Sequence, residues 1–381
     1  MKIIAFYLPQ FYAFPENDKW WGKGFTEWTN VKKSKPLFRG HVQPTIPLND
    51  NFCSLEEKST FEWQISLAKK YGVYGFCFYH YWMGEGRQLM EKPVDMYLAN
   101  KDLDLPFCLS WANHNWARTW TGGDTDILMD VKYGDEEEWE KHFQYLLPFF
   151  SDSRYIKFNE KPLLVIYQPE KIECAERMFS YLNRRAVENG LKGISFISQA
   201  QTYLMDKANV DCISKSIQYE PDYSKTCYMK HRMNTIRENL IRNPRFVFNM
   251  IGQDCKKILN IATKGKFKSL HLYKYSYDGI WKFILQRQAQ ENIIPCAFVN
   301  YDASPRKGFN STIVCGFTPN KFGKYLKQLI VKAKNEYHTD YLFLMAWNEW
   351  GEGAYVEPNE HNKFSVLENI RNALSSTGEL E

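Results

Sequence analysis

Eight short runs of apolar, β-branched or aromatic residues recur along the 381-residue chain, at 3–8, 73–81, 106–111, 163–168, 194–199, 212–218, 294–300 and 341–347. Each is close to continuously apolar, the run from Cys212 least so. A strand with one wet face alternates apolar and polar positions; an unbroken run suits a parallel strand covered on both faces. Between many of the runs the period lengthens to that of a helix. Residues 54–57 read S-L-E-E, a capping-box pattern, and predict a helix through Phe61, Ile65 and Ala68 that stops at Gly72. Residues 135–149 predict a second helix, with acidic residues in the first turn where the helix dipole favours them. A third covers 171–189 and ends before Gly190. Thr318 and Pro319 offer an N-cap and a first-turn proline for a helix to about 335, and a last helix follows Phe364.

Strand and helix alternating eight times predict an α/β fold, a (β/α)8 barrel, with residues 1–381 as one domain. The alternative is an open doubly wound sheet, which calls for a glycine-rich turn after the first strand. Here Pro9, Gln10, Phe11 and Tyr12 follow instead. One segment breaks the rhythm. Residues 222–290 hold 14 Lys/Arg against four Asp/Glu, so the formal charge of +5 divides into +10 there and −5 elsewhere. A basic, mostly helical insertion after strand 6 is expected, with 236–249 and 279–290 as helices. It reads either as a solvated face or as a docking surface for an anionic membrane, a lipid-linked precursor, a nucleotide-sugar or another protein.

A charged content of 24% beside 44% hydrophobic residues excludes global disorder. The nine cysteines form no CxxC pair, and several lie inside the apolar runs, so buried free thiols in a reducing compartment are expected. The first residues lack the pattern of a signal peptide, and no run reaches the roughly 20 apolar residues of a membrane span. The expectation is a soluble, cytoplasmic protein that meets a membrane only peripherally, through 222–290. There is no GxxxxGK[ST], GxSxG, HxH or HExxH, so neither a cofactor nor a protein-bound metal is called for. His80, His114 and Glu349 could meet at a metal, but their spacing matches no ligand motif.

In a barrel the chemistry sits at the C-terminal strand ends. There the sequence places Tyr7 and Gln10; Tyr79, His80, Tyr81 and Trp82; and Trp111, Asn113, His114, Asn115, Trp116, Arg118 and Trp120. Tyr167, Gln168, Gln199, Tyr219 and Glu220 follow, then Asn300, Tyr301, Asp302, Arg306, Trp347, Asn348 and Glu357. Flat aromatics beside amides and carboxylates suit a sugar, whose C–H faces stack on rings and whose hydroxyl pairs take bidentate hydrogen bonds. The candidate sugar-binding residues are Tyr7, Gln10, Trp28, Tyr79, His80, Trp82, Trp111, Asn113, Asn115, Trp116, Arg118, Gln168, Gln199, Tyr301, Asp302, Trp347, Asn348 and Glu357. His80 reads equally well as a hydroxyl partner or as a satisfied pocket histidine. Nine of the 12 tryptophans lie in residues 1–30 or at a strand end, a clustering that core filling alone does not explain. Carboxylates in the same place repel a phosphate backbone, which disfavours nucleic acid.

The sharpest motif is E-W-G-E at 349–352. Glu349 and Glu352, three apart just past a buried strand, can flank one bond. Glycoside hydrolysis needs such a pair, one carboxyl protonated and the other ionised.

Several longer stretches resemble the WbsX-type proteins of bacterial polysaccharide loci. They are F-Y-L-P-Q-F-Y at 6–12, W-W-G-K-G-F-T-E-W-T-N at 20–30, P-L-F-R-G-H-V-Q-P at 36–44, S-W-A-N-H-N-W at 110–116 and A-W-N-E-W-G-E-G at 346–353. More distantly they resemble glycoside hydrolase family 99, the endo-α-mannosidases. The resemblance implies a (β/α)8 barrel and a retaining mechanism. Glu349 would be the base that deprotonates the sugar's 2-hydroxyl to give a 1,2-anhydro intermediate, and Glu352 the acid/base on the leaving oxygen. The family's histidine between the two carboxylates is Gly351 here. Three functions are carried forward: a glycoside-processing enzyme acting on a bacterial surface polysaccharide or its precursor, a glycosyltransferase of polysaccharide biosynthesis, and a non-catalytic glycan-binding barrel.

Overall fold

Eight parallel strands close on themselves in a computed structural model that describes residues 1–117, 127–201, 212–219 and 273–380, with positions 248, 251, 252 and 255. The strands are β1 (Lys2–Tyr7), β2 (Val73–Gly84), β3 (Phe107–Trp111) and β4 (Lys161–Ile166), then β5 (Ser195–Gln201), β6 (Lys215–Tyr219), β7 (Ile293–Phe298) and β8 (Tyr341–Met345). Each pairs in parallel with its neighbours in sequence order, and β1 pairs with both β2 (Ile3 opposite Val73) and β8 (Lys2 opposite Tyr341), which closes the ring. The near-continuous apolar runs follow from this architecture. One face of each strand fills the barrel and the other lies under helices, so β1, β3 and β7 are buried almost end to end. Cys77, Cys108 and Cys296 are free thiols within these buried walls.

Ten helices are described. They are α1 (Pro15–Trp21), α2 (Glu27–Lys33), α3 (Lys58–Tyr71), α4 (Lys92–Ala99), α5 (Glu136–Phe150), α6 (Ala175–Glu188), α7 (Tyr277–Gln286), α8 (Ser304–Lys307), α9 (Pro319–Asn335) and α10 (Ser365–Ser376). Several boundary signals act as expected. Asp135 caps α5 by accepting from the Glu137 amide (3.1 Å), Thr318 caps α9 by accepting from the Lys321 amide (3.2 Å), and Gly72 ends α3 at φ 83°. The box at 54–57 does not form. Helix α3 begins only at Lys58, because the Ser54 hydroxyl accepts from the Glu56 amide (3.3 Å) inside a local turn.

Apart from the four isolated positions, the basic segment is described only from residue 273 on. Residues Tyr273–Ser276 pair in parallel with Thr312–Cys315, and α7 buries Trp281 against Phe298 of β7, rings 5.5 Å apart. The predicted helix at 236–249 falls almost entirely outside the described residues, as do Arg118, Trp120 and Glu220.

Candidate active site

The E-W-G-E motif follows β8 directly, and two tethers fix it. The Trp347 amide donates to the Phe6 carbonyl (2.8 Å). The Asn348 side chain brackets Leu8, its oxygen accepting from the Leu8 amide (2.8 Å) and its nitrogen donating to the Leu8 carbonyl (3.0 Å). Asn348–Glu349 then pairs antiparallel with Ala354–Tyr355, and a single 3-10 turn, Trp350–Glu352, joins the two short strands. Gly353 closes the turn at φ 62°, and a Cβ there would stand 3.0 Å from the Asp302 side chain. The two glutamates therefore leave opposite ends of one tight turn.

They meet at Arg306, which α8 carries on the loop after β7. Its Nη2 donates to Glu349 (2.5 Å), its Nη1 lies 2.8 Å from Glu352, and its Nε donates to Glu27 at the start of α2 (2.9 Å). One guanidinium thus serves three carboxylates. Beside them lies a cavity of about 230 Å³ at the C-terminal mouth of the barrel, walled by Gln10, Tyr79, Tyr81, His114, Asn115, Trp116 and Tyr167 together with Arg306, Glu349 and Glu352. Trp116 presents an aromatic wall, braced by Trp20 (ring centres 6.1 Å apart) and by the edge of Tyr81 (5.3 Å). The Gln10 Nε2 and His114 Nδ1 atoms are buried without a partner in the protein.

The two glutamates differ in environment. The Glu349 side chain is 5% exposed and that of Glu352 22%. Burial pushes the Glu349 carboxyl up to about 8 against the pull of Arg306, and the nearby Glu352 and Glu27 charges add to the rise. Tyr79 and Tyr81 are held far above the usual phenol range, chiefly by burial, and burial lowers His114, so all three are neutral at pH 7. A buried carboxyl raised above the ordinary range, beside a more open one on the same guanidinium, gives the pair the unequal environments that acid and base work needs.

Of the residues expected to bind sugar, the structure brings Gln10, Tyr79, Asn115 and Trp116 to this cavity with both glutamates. Gln199 stands behind the wall, donating to the Tyr79 hydroxyl (3.1 Å). Tyr301 lies on the β7 loop, where Glu352 is the strongest charge acting on its phenol. Arg118 lies outside the described residues.

Most of the remainder do not line the cavity, and their polar atoms, the Gln168 side chain apart, are used within the protein. Tyr7 donates to Gln64 (2.7 Å), and Gln64 and the indoles of Trp347 and Trp350 all donate to Glu357 (2.6, 3.1 and 2.6 Å). Trp28 donates to the Cys53 carbonyl, Trp82 to Glu138 and Trp111 to the Trp82 carbonyl. Asn113 locks the Gln168 backbone at both its amide and its carbonyl (2.8 Å each). His80 is the satisfied histidine of its two readings: its Nε2 pairs with His142 (2.9 Å), and burial drives its pKa down to about 3. Asp302 faces a separate cavity of about 300 Å³, where it accepts from His41 and Gln43 (2.7 Å each). The tryptophan clustering has the same explanation: of the described strand-end indoles, Trp116 faces the cavity, while Trp82, Trp111, Trp347 and Trp350 are buried in the core.

Sequence reasoning placed Arg306 at a strand end without giving it a role, and did not single out Glu27. Arg306 was accessible in principle. Two or more buried carboxylates at a barrel mouth need a cation, and Arg306 stands on the adjoining loop.

Eight parallel strands closed on themselves under flanking helices define the class of fold, a (β/α)8 barrel. Its shape matches the family 99 endo-α-mannosidase of Bacteroides thetaiotaomicron with a TM-score of 0.55, 14% identity, and 99% and 98% of the two chains covered. A glycoside hydrolase-like protein matches with a TM-score of 0.54 and 13% identity over 98% and 93%. At these identities the likeness establishes the fold. The chain belongs to the family described as Glycosyltransferase WbsX, whose profile matches residues 3–370. It is 29% identical to the WxcX protein of Xanthomonas campestris pv. campestris over 98% of its own length, and it spans about half (49%) of that relative. The description of the family is that of a carbohydrate-active enzyme. Among the described residues no helix is long and apolar enough to cross a membrane, and no group of three or more His, Cys, Asp or Glu is placed to hold a metal.

Proposed function

We propose that the protein is a glycoside-processing enzyme that uses Glu349 and Glu352 as a retaining carboxylate pair on a bacterial surface polysaccharide or its precursor. The observation that carries this reading is the pair itself, joined through Arg306 at the barrel mouth, with one member buried and the other reachable. On the family 99 pattern, Glu349 takes the proton of the sugar's 2-hydroxyl. That oxygen attacks C1 as the glycosidic bond breaks, and Glu352 gives a proton to the departing oxygen. Water then adds to C1 with Glu352 as base, and Glu349 returns its proton to O2. A base titrating well above an ordinary carboxyl is better matched to a sugar hydroxyl, and Glu349 has that property. Trp116 supplies a face for the sugar ring, and Gln10 a donor for a hydroxyl.

The family description favours a second reading, transfer from an activated donor. A donor diphosphate wants uncommitted cations. Arg306, the lysine- or arginine-type residue among the described cavity residues, already serves three carboxylates that would repel a phosphate. Incubation with a panel of activated aryl glycosides and glycosyl fluorides, followed by NMR of the released sugar, separates the readings. Release with retained configuration is expected. Transfer from a nucleotide-sugar, with no release from any activated glycoside, would replace hydrolysis with the second reading.

A further inference from the structure

We propose that Glu27 and Arg306 form a positioning pair, seated in space that Gly351 leaves open, which ties Glu349 to Glu352 and sets the balance of charge around Glu349. The proposal rests on the glycoside-processing reading for its consequence in turnover, and on geometry for the pair itself.

Glu27 lies more than 270 residues from Arg306 in sequence, and the fold spends several contacts on bringing it there. Its amide donates to the Gln10 carbonyl (3.2 Å), and the next residue, Trp28, packs on Trp350 with ring centres 5.3 Å apart. Helix α2 therefore abuts the very turn that carries both glutamates. Glu27 is wholly buried and makes its bond to Nε, the one edge of the guanidinium that neither Glu349 nor Glu352 uses. The planar fork of arginine can serve three carboxylates in fixed directions; the point charge of lysine cannot.

Gly351 explains how the pair fits. Its φ is not positive, so the backbone does not demand glycine there. A Cβ at this position would stand 1.9 Å from Glu27 Oε1 and 2.7 Å from Arg306 Nε. The missing side chain is the room in which the pair sits, and a larger residue at 351 requires Glu27 and Arg306 to shift. The long block at 20–30, which composition left unexplained, acquires a purpose: it delivers Glu27.

The charge count gives the pair its effect. Three carboxylates share one guanidinium. The other titratable groups facing the cluster are Tyr79, Tyr81, Tyr167, Tyr301 and His114, and burial keeps each of these uncharged at neutral pH. Asp302, on the neighbouring loop, turns its carboxylate to His41 and Gln43 instead. Full ionisation would leave two net negative charges in a largely dry site, so the cluster retains a proton. Arg306 and Glu27 then act on Glu349 in opposite senses, the cation favouring its ionised form and the carboxylate opposing it.

Opposite senses give a test that a purely structural role would not pass. The variants are Arg306→Lys, Glu27→Gln and Gly351→Ala, each checked for native circular dichroism. The readouts are kcat, KM and the pH profile on an activated glycoside, and, without substrate, the carbon-13 titration of glutamate-labelled protein. Arg306→Lys is expected to move the Glu349 titration to higher pH and Glu27→Gln to lower pH, each by roughly one unit. Both should lower kcat about tenfold or more with KM changed less than about threefold. Gly351→Ala should lower kcat similarly, and Gly351→Ala with Glu27→Gln should cost no more than the worse single change. Shifts of the same sign, or losses that multiply, overturn the pair. Opposite shifts in a protein that turns over no glycoside keep the pair and remove the functional reading; turnover without opposite shifts does the reverse.

Discussion

Glu352→Gln is expected to lower kcat on a glycoside with a poor leaving group by about 10²–10⁴-fold, the usual size of a lost general acid. On a glycosyl fluoride or dinitrophenyl glycoside the first step should fall far less, because such a group departs without a proton. A variant that hydrolyses both kinds of substrate at the wild-type rate would remove Glu352 from the mechanism. Glu349→Gln should abolish both activities, since the attacking oxygen then has no base. The pH profile carries a signed expectation as well. Glu349 must be ionised to act, and its carboxyl is pushed up to about 8, so on a glycosyl fluoride, whose departure needs no protonated Glu352, kcat/KM in the free enzyme should rise with pH and level off above about 8. A rise centred near 4.5, the ordinary glutamate value, would mean that the buried carboxyl is not the base.

The second large effect concerns stability. Glu357 receives hydrogen bonds from Gln64, Trp347 and Trp350 in a site without solvent. Leucine fits the hole but leaves two indole N–H groups and an amide unpaired, each costing about 1–3 kcal/mol. Glu357→Leu is therefore expected to lose about 3–5 kcal/mol at pH 5, measured by urea unfolding. The gap should narrow as pH rises. Burial pushes the Glu357 carboxyl up to about 7 despite its three donors. Above about 4.5 the unfolded chain releases a proton that the fold still holds, so this contribution is full below that pH and declines until about 7. A gap that widens between pH 5 and 8 would show that the three donors outweigh burial and that Glu357 is ionised in the fold throughout.

The barrel could be read from the sequence because its signal is one-dimensional. Unbroken apolar runs such as 3–8 and 341–347 mark strands covered on both faces, and Thr318 with Pro319 marks a helix start wherever the chain goes afterwards. The glutamate pair was legible for the same reason, being local to one turn. Which polar side chains face the cavity was not. Residue type at a strand end does not say whether an indole turns up to a ligand or down to a carboxylate, and Trp347 with Glu357 and Trp82 with Glu138 both went down. His80 found its partner 62 residues away in α5. Glu27 was invisible because its role depends on an absence, the side chain missing at 351, which has meaning only once three segments have met in space.

The Asn348 bracket on Leu8 has a consequence for the time course of folding. The groups that make the site are numbered 27, 306, 349 and 352, and the clasp that seats the last two joins positions 340 residues apart. Loops of that length close late, after local helices and adjacent strand pairs have formed. The barrel wall can therefore exist as a chain of βα units with no functional centre, and the centre appears only when the ring shuts. Activity is in this sense a report on closure: the joint between first and last strands is also where the carboxylates are mounted, so a molecule that has them in register has already finished folding.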